Sequence, residues 1–400
     1  MKIRQWAVVV ALVFPLYAQA KESLQQQVDS LSQQLEEVRA QLRSQQSADI
    51  PARVEELEEY TDSIDKYFTQ DALVGSFESI KMDFGGFLHS AYTHVEGEAA
   101  SASSFNRQNV ELLVRADLSE RWSIFFAGGY LRESDDPFEV GSITEPEFNS
   151  RNKNPNIVSW ANYRHDDFFN VKIGRILTPH GIVNIEHFPA GLVDPEQPQF
   201  LRPFSGNTIF PNFVTGLQLH GRAAVNSSNY LSYAAYVGNF SGVPDEELGG
   251  IRLAANLWSN LLEVGVNSAT NNRRLADGSN DGVSLNGVDI RVEAGRLSWK
   301  TEFFETRGER EGSRRAAYTQ PAWTLAERWV VFAKLDYLDA GSVAGQENES
   351  TEAVLGVNYL PQSNIRMRLT YTDKTFKNAN TATGNDVSAD VFQASATFSF

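Results

Sequence analysis

Acidic and basic residues occupy every second position in several short segments of this sequence, with apolar residues between them. In the segment 288–293, for example, Asp289, Arg291 and Glu293 alternate with three branched aliphatic residues. Such alternation places the charges on one face of a β-strand and the apolar residues on the other. A face of mixed charges can hold water and guide hydrated ions or polar solutes. These residues therefore suggest electrostatic selection rather than covalent catalysis.

The charged residues that this pattern assigns to the inner face of the predicted strands, where they would line a pore, are balanced in sign. The basic ones are Arg115, Lys172, Arg222, Arg252, Arg291, Lys300, Lys334, Arg366 and Arg368. The acidic ones are Asp83, Glu111, Asp117, Glu263, Asp289, Glu293, Glu302, Asp336 and Glu352. A phosphate-selective wall would need an excess of Arg and Lys to replace the hydration that the anion loses. The balance therefore argues against selectivity for phosphate.

The sequence contains no grouping typical of a catalytic or metal centre. It has six histidines, yet no nucleophile, base and orienting group stand at a spacing that would bring them together. Glu186 and His187 point apart on an extended segment, and with His180 they match no known ligand spacing. The segment 277–282 resembles half of a calcium-binding loop without its closing Glu. We expect no metal, no cofactor and no catalytic residue.

The elements that must position these charges are strands, because the apolar period is two from about Gly75 to the end of the chain. We predict sixteen strands, at 81–95, 108–118, 122–132, 156–164, 168–177, 213–225, 230–238, 250–258, 261–269, 283–293, 296–307, 314–324, 328–338, 351–360, 364–374 and 388–400. Every second connection is a short turn, and most of the others are longer. Stacked β-sandwich domains, the alternative, would not sort their connections in this way. The pattern predicts an all-β fold, a 16-stranded antiparallel transmembrane β-barrel over residues 75–400.

The last predicted strand supports closure of the barrel. Within 388–400, apolar residues alternate with mostly polar ones up to the terminal Phe400. An exposed strand edge of this composition would tend to pair with other chains. Pairing with the first strand, near Lys81, would remove that edge.

The N-terminus has the features of a secretory signal peptide over residues 1–20. Lys2 and Arg4 accompany the apolar run 7–17, and Ala18-Gln19-Ala20 is a cleavage site of small residues. The formal net charge of −16 argues against nucleic acid as a partner, since phosphate binding needs a basic surface. The chain has no cysteine, which fits export into an oxidising compartment.

Residues 21–70 show a different period. Apolar residues at positions 24, 28, 31, 35, 38 and 42 recur at alternating intervals of four and three, the seam of a coiled coil. A shorter seam runs from Val54 to Phe68 after a break at Pro51. A stripe this narrow would bury little apolar surface in a single helix. The segment therefore predicts an α-helical coiled coil and self-association. Its mixture of Leu and Val does not distinguish a dimer from a trimer.

Together, the signal peptide, the sixteen strands with short turns and the terminal Phe400 resemble the trimeric porins of Gram-negative outer membranes. The coiled coil and the stretches 172–181 and 215–221 are similar to the phosphate-selective porin O and P family and its coiled-coil relatives that pass dicarboxylic acids. The resemblance implies a homotrimer in outer-membrane lipid, with the coiled coil in the periplasm. It also implies that Phe398 and Phe400 are the signal read by the barrel-assembly machinery. The implied function is passive diffusion of small hydrophilic solutes, with small organic acids as first candidates.

The longest connection, residues 178–212, joins the fifth and sixth predicted strands. A structureless connection of thirty-five residues is unusual unless it is functional. Its six prolines limit its freedom: Pro179, Pro189, Pro195, Pro198, Pro203 and Pro211. In general porins the third external loop folds into the lumen, and the resemblance implies the same here; the alternatives are a loop over the rim or against a neighbouring subunit. The expected constriction residues are His180, Glu186, His187, Asp194, Glu196 and Arg202.

Two other functions remain as alternatives on the sequence alone. Some outer-membrane barrels are hydrolases, and others are adhesins or receptors that do not conduct. A hydrolase would need a catalytic set near the rim or the lipid face. A closed receptor would need a plug domain or much longer loops than this sequence contains.

Overall fold

The computed structural model of the chain describes residues 80–97, 101–134, 150–153, 156–202, 209–239, 247–274, 280–309, 312–341, 349–380 and 385–400. These residues belong to one unit, Ile80–Phe400. The predicted signal peptide, 1–20, and the predicted coiled coil, 21–70, lie outside the described residues. Among the described helices, none has the length and apolar character needed to cross a membrane.

β-Strands make up most of the described chain, and each pairs antiparallel with its neighbours in sequence. They are β1 (Lys81–Gly97), β2 (Ser101–Asp117), β3 (Trp122–Ser134), β4 (Ser150–Lys153), β5 (Asn156–Arg164), β6 (Asn170–Leu177), β7 (Phe213–Ala224), β8 (Tyr230–Asn239), β9 (Glu247–Leu257), β10 (Leu262–Arg274), β11 (Asn280–Ala294), β12 (Leu297–Gly308), β13 (Gly312–Ala326), β14 (Trp329–Asp339), β15 (Glu349–Gln362), β16 (Ile365–Asn380) and β17 (Asn385–Ser399). Because β4 and β5 both pair with β3, they form one interrupted strand. The sheet is therefore a closed antiparallel barrel of 16 strands, as predicted.

The barrel closes between the first and the last strand. β1 and β17 pair antiparallel, with His89 opposite Thr397. Beside this pairing, the Gly86 N–H donates to the Phe400 carbonyl at 3.0 Å, and the Phe400 N–H donates to the Gly86 carbonyl at 3.1 Å. Closure leaves β17 without a free edge for another chain to pair with. The predicted pairing of the last strand with the first is confirmed.

Most predicted strand limits lie within a few residues of the observed ones, and β2 is the main exception. It begins at Ser101 rather than at 108. The preceding polar residues pair with β1 beyond a register shift between Ala91 and Thr93. A polar strand end has no apolar face, so its composition resembles a loop. As a result, Arg107 belongs to the wall although the predicted strand excluded it.

Exposure alternates along the strands as the sequence predicted. On β14, Lys334 is 1% exposed and the adjacent Leu335 is 62% exposed. On β16, Arg368 is 2% exposed and Leu369 is 61% exposed. The charged residues therefore face the inside of the barrel and the apolar ones face outward, as expected for a strand wall between lipid and a polar lumen.

Aromatic rings lie on the outer face beside the short turns. The rings of Trp122 and Tyr163 are 5.0 Å apart between centroids, and those of Trp329 and Tyr359 are 4.6 Å apart. Such rings combine an apolar body with a polar edge, so they suit the boundary between lipid and water. They indicate the level at which the membrane ends on the short-turn side.

An apolar cluster lies inside the half of the barrel away from the short turns. Phe304, Tyr318 and Leu338 of the wall are at most 2% exposed and pack against Phe200 and Phe210. The last two residues belong to the connection between β6 and β7, which therefore lies within the barrel. Apolar side chains therefore accompany the charged ones inside this half of the barrel.

Candidate functional site

The connection between β6 and β7, residues 178–212, is called the inward loop below. The structure describes all of it except 203–208. It contains one short helix, α1 (Val183–Glu186), and one 3-10 turn, Gln199–Leu201. Its side chains and backbone contact strands on several sides of the barrel, and these contacts define the candidate site.

One backbone hydrogen bond and the side chains of Asn184 and Asn212 hold the two ends of the inward loop together. The Thr178 N–H donates to the Asn212 carbonyl at 2.9 Å, and Asn184 Nδ2 donates to the Thr178 carbonyl at 2.7 Å. Asn212 Nδ2 donates to Asn184 Oδ1 at 3.1 Å. Buried polar groups need such partners. The loop therefore leaves and re-enters the wall at one place, and its middle extends into the lumen.

Glu302 of β12 holds the start of α1. Its Oε1 accepts the backbone N–H groups of Ile182 and Val183, each at 2.9 Å, and the Tyr318 hydroxyl at 2.8 Å. The first N–H groups of a helix have no partner within the helix, so the carboxylate supplies one. Gly181 permits this approach, because its φ is +69° and a Cβ there would lie 2.0 Å from Glu302 Oε2.

His180 is fixed by a buried hydrogen-bonded network. Because an amide oxygen only accepts, His180 Nδ1 donates to Asn267 Oδ1 at 3.3 Å, and the Tyr236 hydroxyl donates to Nε2 at 2.7 Å. Asn267 donates to Asp289 at 2.7 Å, and Asp289 pairs with Arg252 at 2.5 Å. Burial lowers the pKa of His180 to about 4, so the ring is neutral at pH 7.

His187 contacts another residue of the loop and the first residue of β7. Gln197 Nε2 donates to His187 Nδ1 at 3.2 Å, and the ring lies 5.1 Å from that of Phe213 between centroids. Burial lowers the pKa of His187 to about 4. The ring is therefore a neutral packing group of the loop.

Glu186 differs from the other predicted constriction residues because its carboxylate is partly exposed. Its side chain is 26% exposed, and it pairs with Arg291 at 2.7 Å and with Lys300. The loop's negative charge here meets two positive charges of the wall. A polar solute passing this point would meet both signs of charge within a few ångströms.

Buried ion pairs fasten the second half of the loop to β14, β15 and β16. Arg202 donates two hydrogen bonds to Glu352, at 2.8 and 2.5 Å, and Lys374 pairs with the same carboxylate at 2.7 Å. Asp194 pairs with Lys334 at 2.5 Å. Removing one member of a buried ion pair leaves an uncompensated charge, which is strongly destabilising. These pairs are therefore strong determinants of the loop position.

Two arginines of β16 bind the loop backbone. Arg366 Nη1 donates to the Leu192 carbonyl at 2.7 Å. Arg368 Nη2 donates to the carbonyls of Pro189 and Leu192, at 2.5 and 2.8 Å. Two positive charges of the wall thus position the loop.

Glu196 joins the loop to β2 and β17. Its Oε1 accepts hydrogen bonds from Arg107 at 2.7 Å and from Gln393 at 3.0 Å. Burial alone would raise the pKa of Glu196, but Arg107, Arg202 and these hydrogen bonds outweigh it and hold the pKa below its ordinary value. The carboxylate is therefore charged at neutral pH.

The six predicted constriction residues thus all lie within the barrel, but against different strands, and all except Glu186 are buried. Sequence analysis missed several of their partners, among them Arg107 and Gln393 beside Glu196. It also missed the backbone N–H of Gln199, which donates to Asp336 at 2.8 Å. Alternation assigns a residue to a face, yet it does not say which charge on that face meets a loop. Extending the period of two back from residue 108 would have included Arg107.

The predicted pore-lining residues fall into two groups. Those that contact the inward loop are Arg291, Lys300, Glu302, Lys334, Asp336, Glu352, Arg366 and Arg368, while Asp289 and Arg252 lie behind His180. The others contact the wall itself: Arg115 pairs with Asp117, Arg222 with Asp167, Glu293 accepts from Ser298, Glu111 accepts from Asn109, and Lys172 lies over the Trp160 ring.

Below the inward loop, toward the short turns, the lumen contains a cavity of 730 Å³. Ile182 and Ile185 of the loop line one side of it, and wall residues such as Lys172 and Arg222 line the other. The turn residues Asp166 and Asp167, near the rim, also border it. A solute that enters from the short-turn rim would reach the inward loop through this space.

We expect acid to loosen the inward loop, because His180 and His187 are buried as neutral rings. Their ordinary pKa of 6.5 falls to about 4 in the folded protein. Below pH 6.5 a released loop binds protons that the docked loop does not. Above pH 6.5 the free energy that stabilises the docked loop therefore has its highest value. Between pH 6.5 and about pH 4 it falls by roughly 1.4 kcal/mol per pH unit for each ring. Chymotryptic cleavage after Phe200 should accelerate between neutral pH and about pH 5.

Two variants test this prediction: a double variant that lacks both loop histidines, and a control variant that lacks an exposed histidine elsewhere. His180→Gln with His187→Gln should remove most of the acid response, whereas His165→Gln, at an exposed turn, should keep it. Cleavage rates are divided by the rate on an unfolded substrate at the same pH. An acid response of wild-type size in the double variant would show that other groups control the loop.

Comparison with known proteins gives one sequence match. Residues 252–400 match the model of a family described as phosphate-selective porin O and P. The chain resembles the porins. No protein of a curated set matched it. The porin-like match covers β10 to β17 and part of β9, which include Glu302, Lys334, Glu352 and Arg368 of the candidate site.

Solved structures support the same fold. The anion-selective porin from Comamonas acidovorans is 11% identical with a TM-score of 0.53, covering 80% of this chain and 100% of that chain. The outer membrane channel DcaP of Acinetobacter baumannii is 10% identical with a TM-score of 0.51, covering 81% and 98%. The trimer form of OmpT, an outer membrane protein of Vibrio cholerae, is 12% identical with a TM-score of 0.52, covering 80% and 99%. At these identities the likeness concerns the barrel fold.

Proposed function

We propose that the chain is a passive diffusion channel for small hydrophilic solutes across an outer membrane. The observation that carries the proposal is the inward loop, held within a closed barrel by charges of the surrounding wall. The apolar outer face and the porin family match support a membrane location. The match also favours a non-enzymatic channel over the hydrolase alternative.

In the proposed mechanism, the inward loop restricts passage by size and the remaining lumen charges select by electrostatics. Glu186, Arg291 and Lys300 form the partly exposed part of the constriction, and Arg291 lines the 730 Å³ cavity. The other proposed constriction residues, His180, His187, Asp194, Glu196 and Arg202, position the loop rather than contact the solute. Their burial and their bonds to the wall support that division of roles.

The charges of the barrel wall are the basis for the solute class that we propose. The balance of acidic and basic side chains supports a channel without strong selectivity for phosphate, although the matching family carries that word in its description. One structural relative is described as an anion-selective porin and another as an outer membrane channel. They support small organic acids as the first candidate solutes.

Planar-bilayer recording with the full mature chain tests the proposed function. We expect stepwise insertion with steady ionic conductance, because the solute path needs no energy input. Under a salt gradient, the sign of the reversal potential reports whether cations or anions pass more readily. Protein that inserts into the bilayer but never conducts would contradict the channel and favour an adhesin or receptor.

We also propose a homotrimer whose coiled coil, residues 21–70, extends into the periplasm. The heptad seam supports self-association, and one structural relative is described in a trimer form. Deleting residues 21–70 should weaken the oligomer on native gels while conductance remains. An oligomer of unchanged stability after the deletion would contradict a role of this segment in assembly.

Phe398 and Phe400 are proposed as the signal for the barrel-assembly machinery. Support comes from their exposure, 41% and 69%, at the end of the strand that closes the barrel. The backbone of Phe400 bonds to Gly86, so its ring is not needed to pair the strand. Phe400→Ser should therefore reduce the amount of protein assembled in the membrane without changing the conductance of the channels that form.

A further inference from the structure

The cavity below the inward loop contains an ammonium group that no described carboxylate neutralises. Lys172 of β6 lies with Nζ 4.5 Å from the centroid of the Trp160 ring. Within the part of the chain that the structure describes, no carboxylate oxygen comes within the 4.0 Å of an ion pair. Three of the four other cations of the same cavity are paired, Arg222 with Asp167, Arg252 with Glu263 and Asp289, and Arg291 with Glu186. The fourth, Arg164, donates to the Glu120 carbonyl at 3.3 Å near the short turns. Lys172 is therefore available to an anion from outside.

A pair of stacked aromatic rings lies next to this ammonium group. The rings of Phe125 and Trp160 stack with centroids 5.3 Å apart and planes 25° apart. Both line the cavity, together with Ile182 and Ile185 of the inward loop. A planar apolar ligand in the cavity would contact the parts of these rings that remain open and displace water from them. The site thus presents an aromatic surface and a cation side by side.

Neutral polar groups flank Lys172 on both neighbouring strands. Asn162 of β5 and Gln218 of β7 stand opposite Lys172 in the antiparallel ladders. Cross-strand neighbours are about 5 Å apart at their Cβ atoms, so their amides can reach an anion held by the ammonium group. His220 Nε2 donates to Asn162 Oδ1 at 2.8 Å and so orients that amide. The amides add directional hydrogen bonds without adding charge.

The charge of this cavity is opposite to that of the chain. Its lining contains the basic residues Arg164, Lys172, Arg222, Arg252 and Arg291 but only the acidic residues Asp166, Asp167 and Glu263. The carboxylate of Asp166 accepts the backbone N–H groups of Phe168 and Phe169, at 2.8 and 2.6 Å. In a protein of formal net charge −16, this part of the lumen is locally positive. Its volume of 730 Å³ also falls within the range of about 300–1,000 Å³ of small-molecule sites.

We propose that this cavity is a binding site for aromatic monocarboxylates. The ring of the solute lies against Phe125 and Trp160, and its carboxylate pairs with Lys172 between Asn162 and Gln218. A single unpaired ammonium group beside one aromatic surface matches one carboxylate on one ring better than an inorganic anion. The inference rests on the proposed channel function and names a class of solute that pauses on its way through.

Benzoate is the probe, and binding and conduction are measured separately. Isothermal titration of the detergent-solubilised full chain reports affinity, and benzoate added on the short-turn side of a bilayer reports block of the ionic current. Acetate carries the charge without the ring, and benzamide carries the ring without the charge. We expect benzoate to bind at least about tenfold more tightly than either analogue, because a charge-assisted hydrogen bond and the ring contact each contribute.

Variants distinguish Lys172 from positive charge in general. Lys172→Met should weaken benzoate binding about tenfold or more, and Lys172→Arg should retain most of it. Lys81→Met removes the same charge from the exposed end of β1, outside the cavity, and should leave the affinity as in wild type. Unblocked conductance verifies that each variant forms its barrel.

The outcomes separate this inference from the proposed function. Conductance without benzoate binding, or equal affinities in Lys172→Met and wild type, would overturn the site while the channel stands. Benzoate binding in a protein that never conducts would support the site and overturn the channel. Equal affinity for acetate and benzoate would also overturn the site, since the aromatic surface would then contribute nothing.

Discussion

Phe304→Ala should raise the single-channel conductance and expose the inward loop to protease, whereas Phe303→Ala on the same strand should do neither. Phe304 is fully buried, with its ring centroid 5.5 Å from that of Phe200 and 5.0 Å from that of Phe210. Truncating a buried Phe to Ala costs about 3–5 kcal/mol. In this cluster the lost free energy is that of the contact between the wall and the loop. The docked state of the loop therefore becomes less populated.

Phe303 is a close control, because it precedes Phe304 on β12 and loses the same atoms on truncation. Its side chain is 44% exposed on the outer face, so its loss leaves the lumen unchanged. Bilayer recording and protease digestion of both variants measure the difference. Equal conductance and equal loop cleavage in the two variants would show that the apolar cluster does not hold the loop.

Glu352→Gln should release the second half of the inward loop and increase current fluctuations. The carboxylate of Glu352 faces two buried cations, Arg202 at 2.5 Å and Lys374 at 2.7 Å. Gln keeps the size of the side chain but removes its charge, so both cations lose their counter-ion inside the protein. Breaking a buried ion pair from one side costs about 3–5 kcal/mol. The temperature at which the loop becomes cleavable should therefore fall.

Glu305→Gln provides the matched substitution outside the lumen. Glu305 also faces two cations, Arg307 at 2.9 Å and Arg315 at 3.0 Å, but both arginines are more than half exposed. Exposed pairs are screened by water and salt, so this variant should keep wild-type loop stability. If Glu352→Gln behaves like Glu305→Gln, the buried pairs are not what positions the loop.

The strand wall could be predicted from the sequence because alternation is a local property. In β14 and β16, Lys334 and Arg368 face inward and their neighbours Leu335 and Leu369 face outward, as the period of two required. The start of β2 could not be predicted in this way. Its residues from Ser101 onward are polar on both faces, so pairing with β1 leaves no apolar signal.

The candidate site could be predicted only as a set of residues. The loop and its polar side chains were identified from length, proline content and composition, together with a family resemblance. Their partners were not, because the pairing of Arg202 with Glu352 joins residues 150 positions apart, which no local period reports. Likewise, alternation placed Phe304 inside the barrel next to charged residues, yet gave no indication that Phe200 would cover it.

The distant partners of the inward loop also set the order in which the protein can mature. Four wall residues bind the loop: Glu302, Glu352, Arg368 and Gln393. Arg368 donates to the Pro189 and Leu192 carbonyls, and Gln393 donates to Glu196, which is 197 positions away. These partners lie on strands that follow the loop in the chain, including the closing strand β17. Contacts so distant form only after the intervening chain is in place. The constriction therefore forms late in folding. A barrel in which β17 has not yet paired lacks part of the wall that holds the loop.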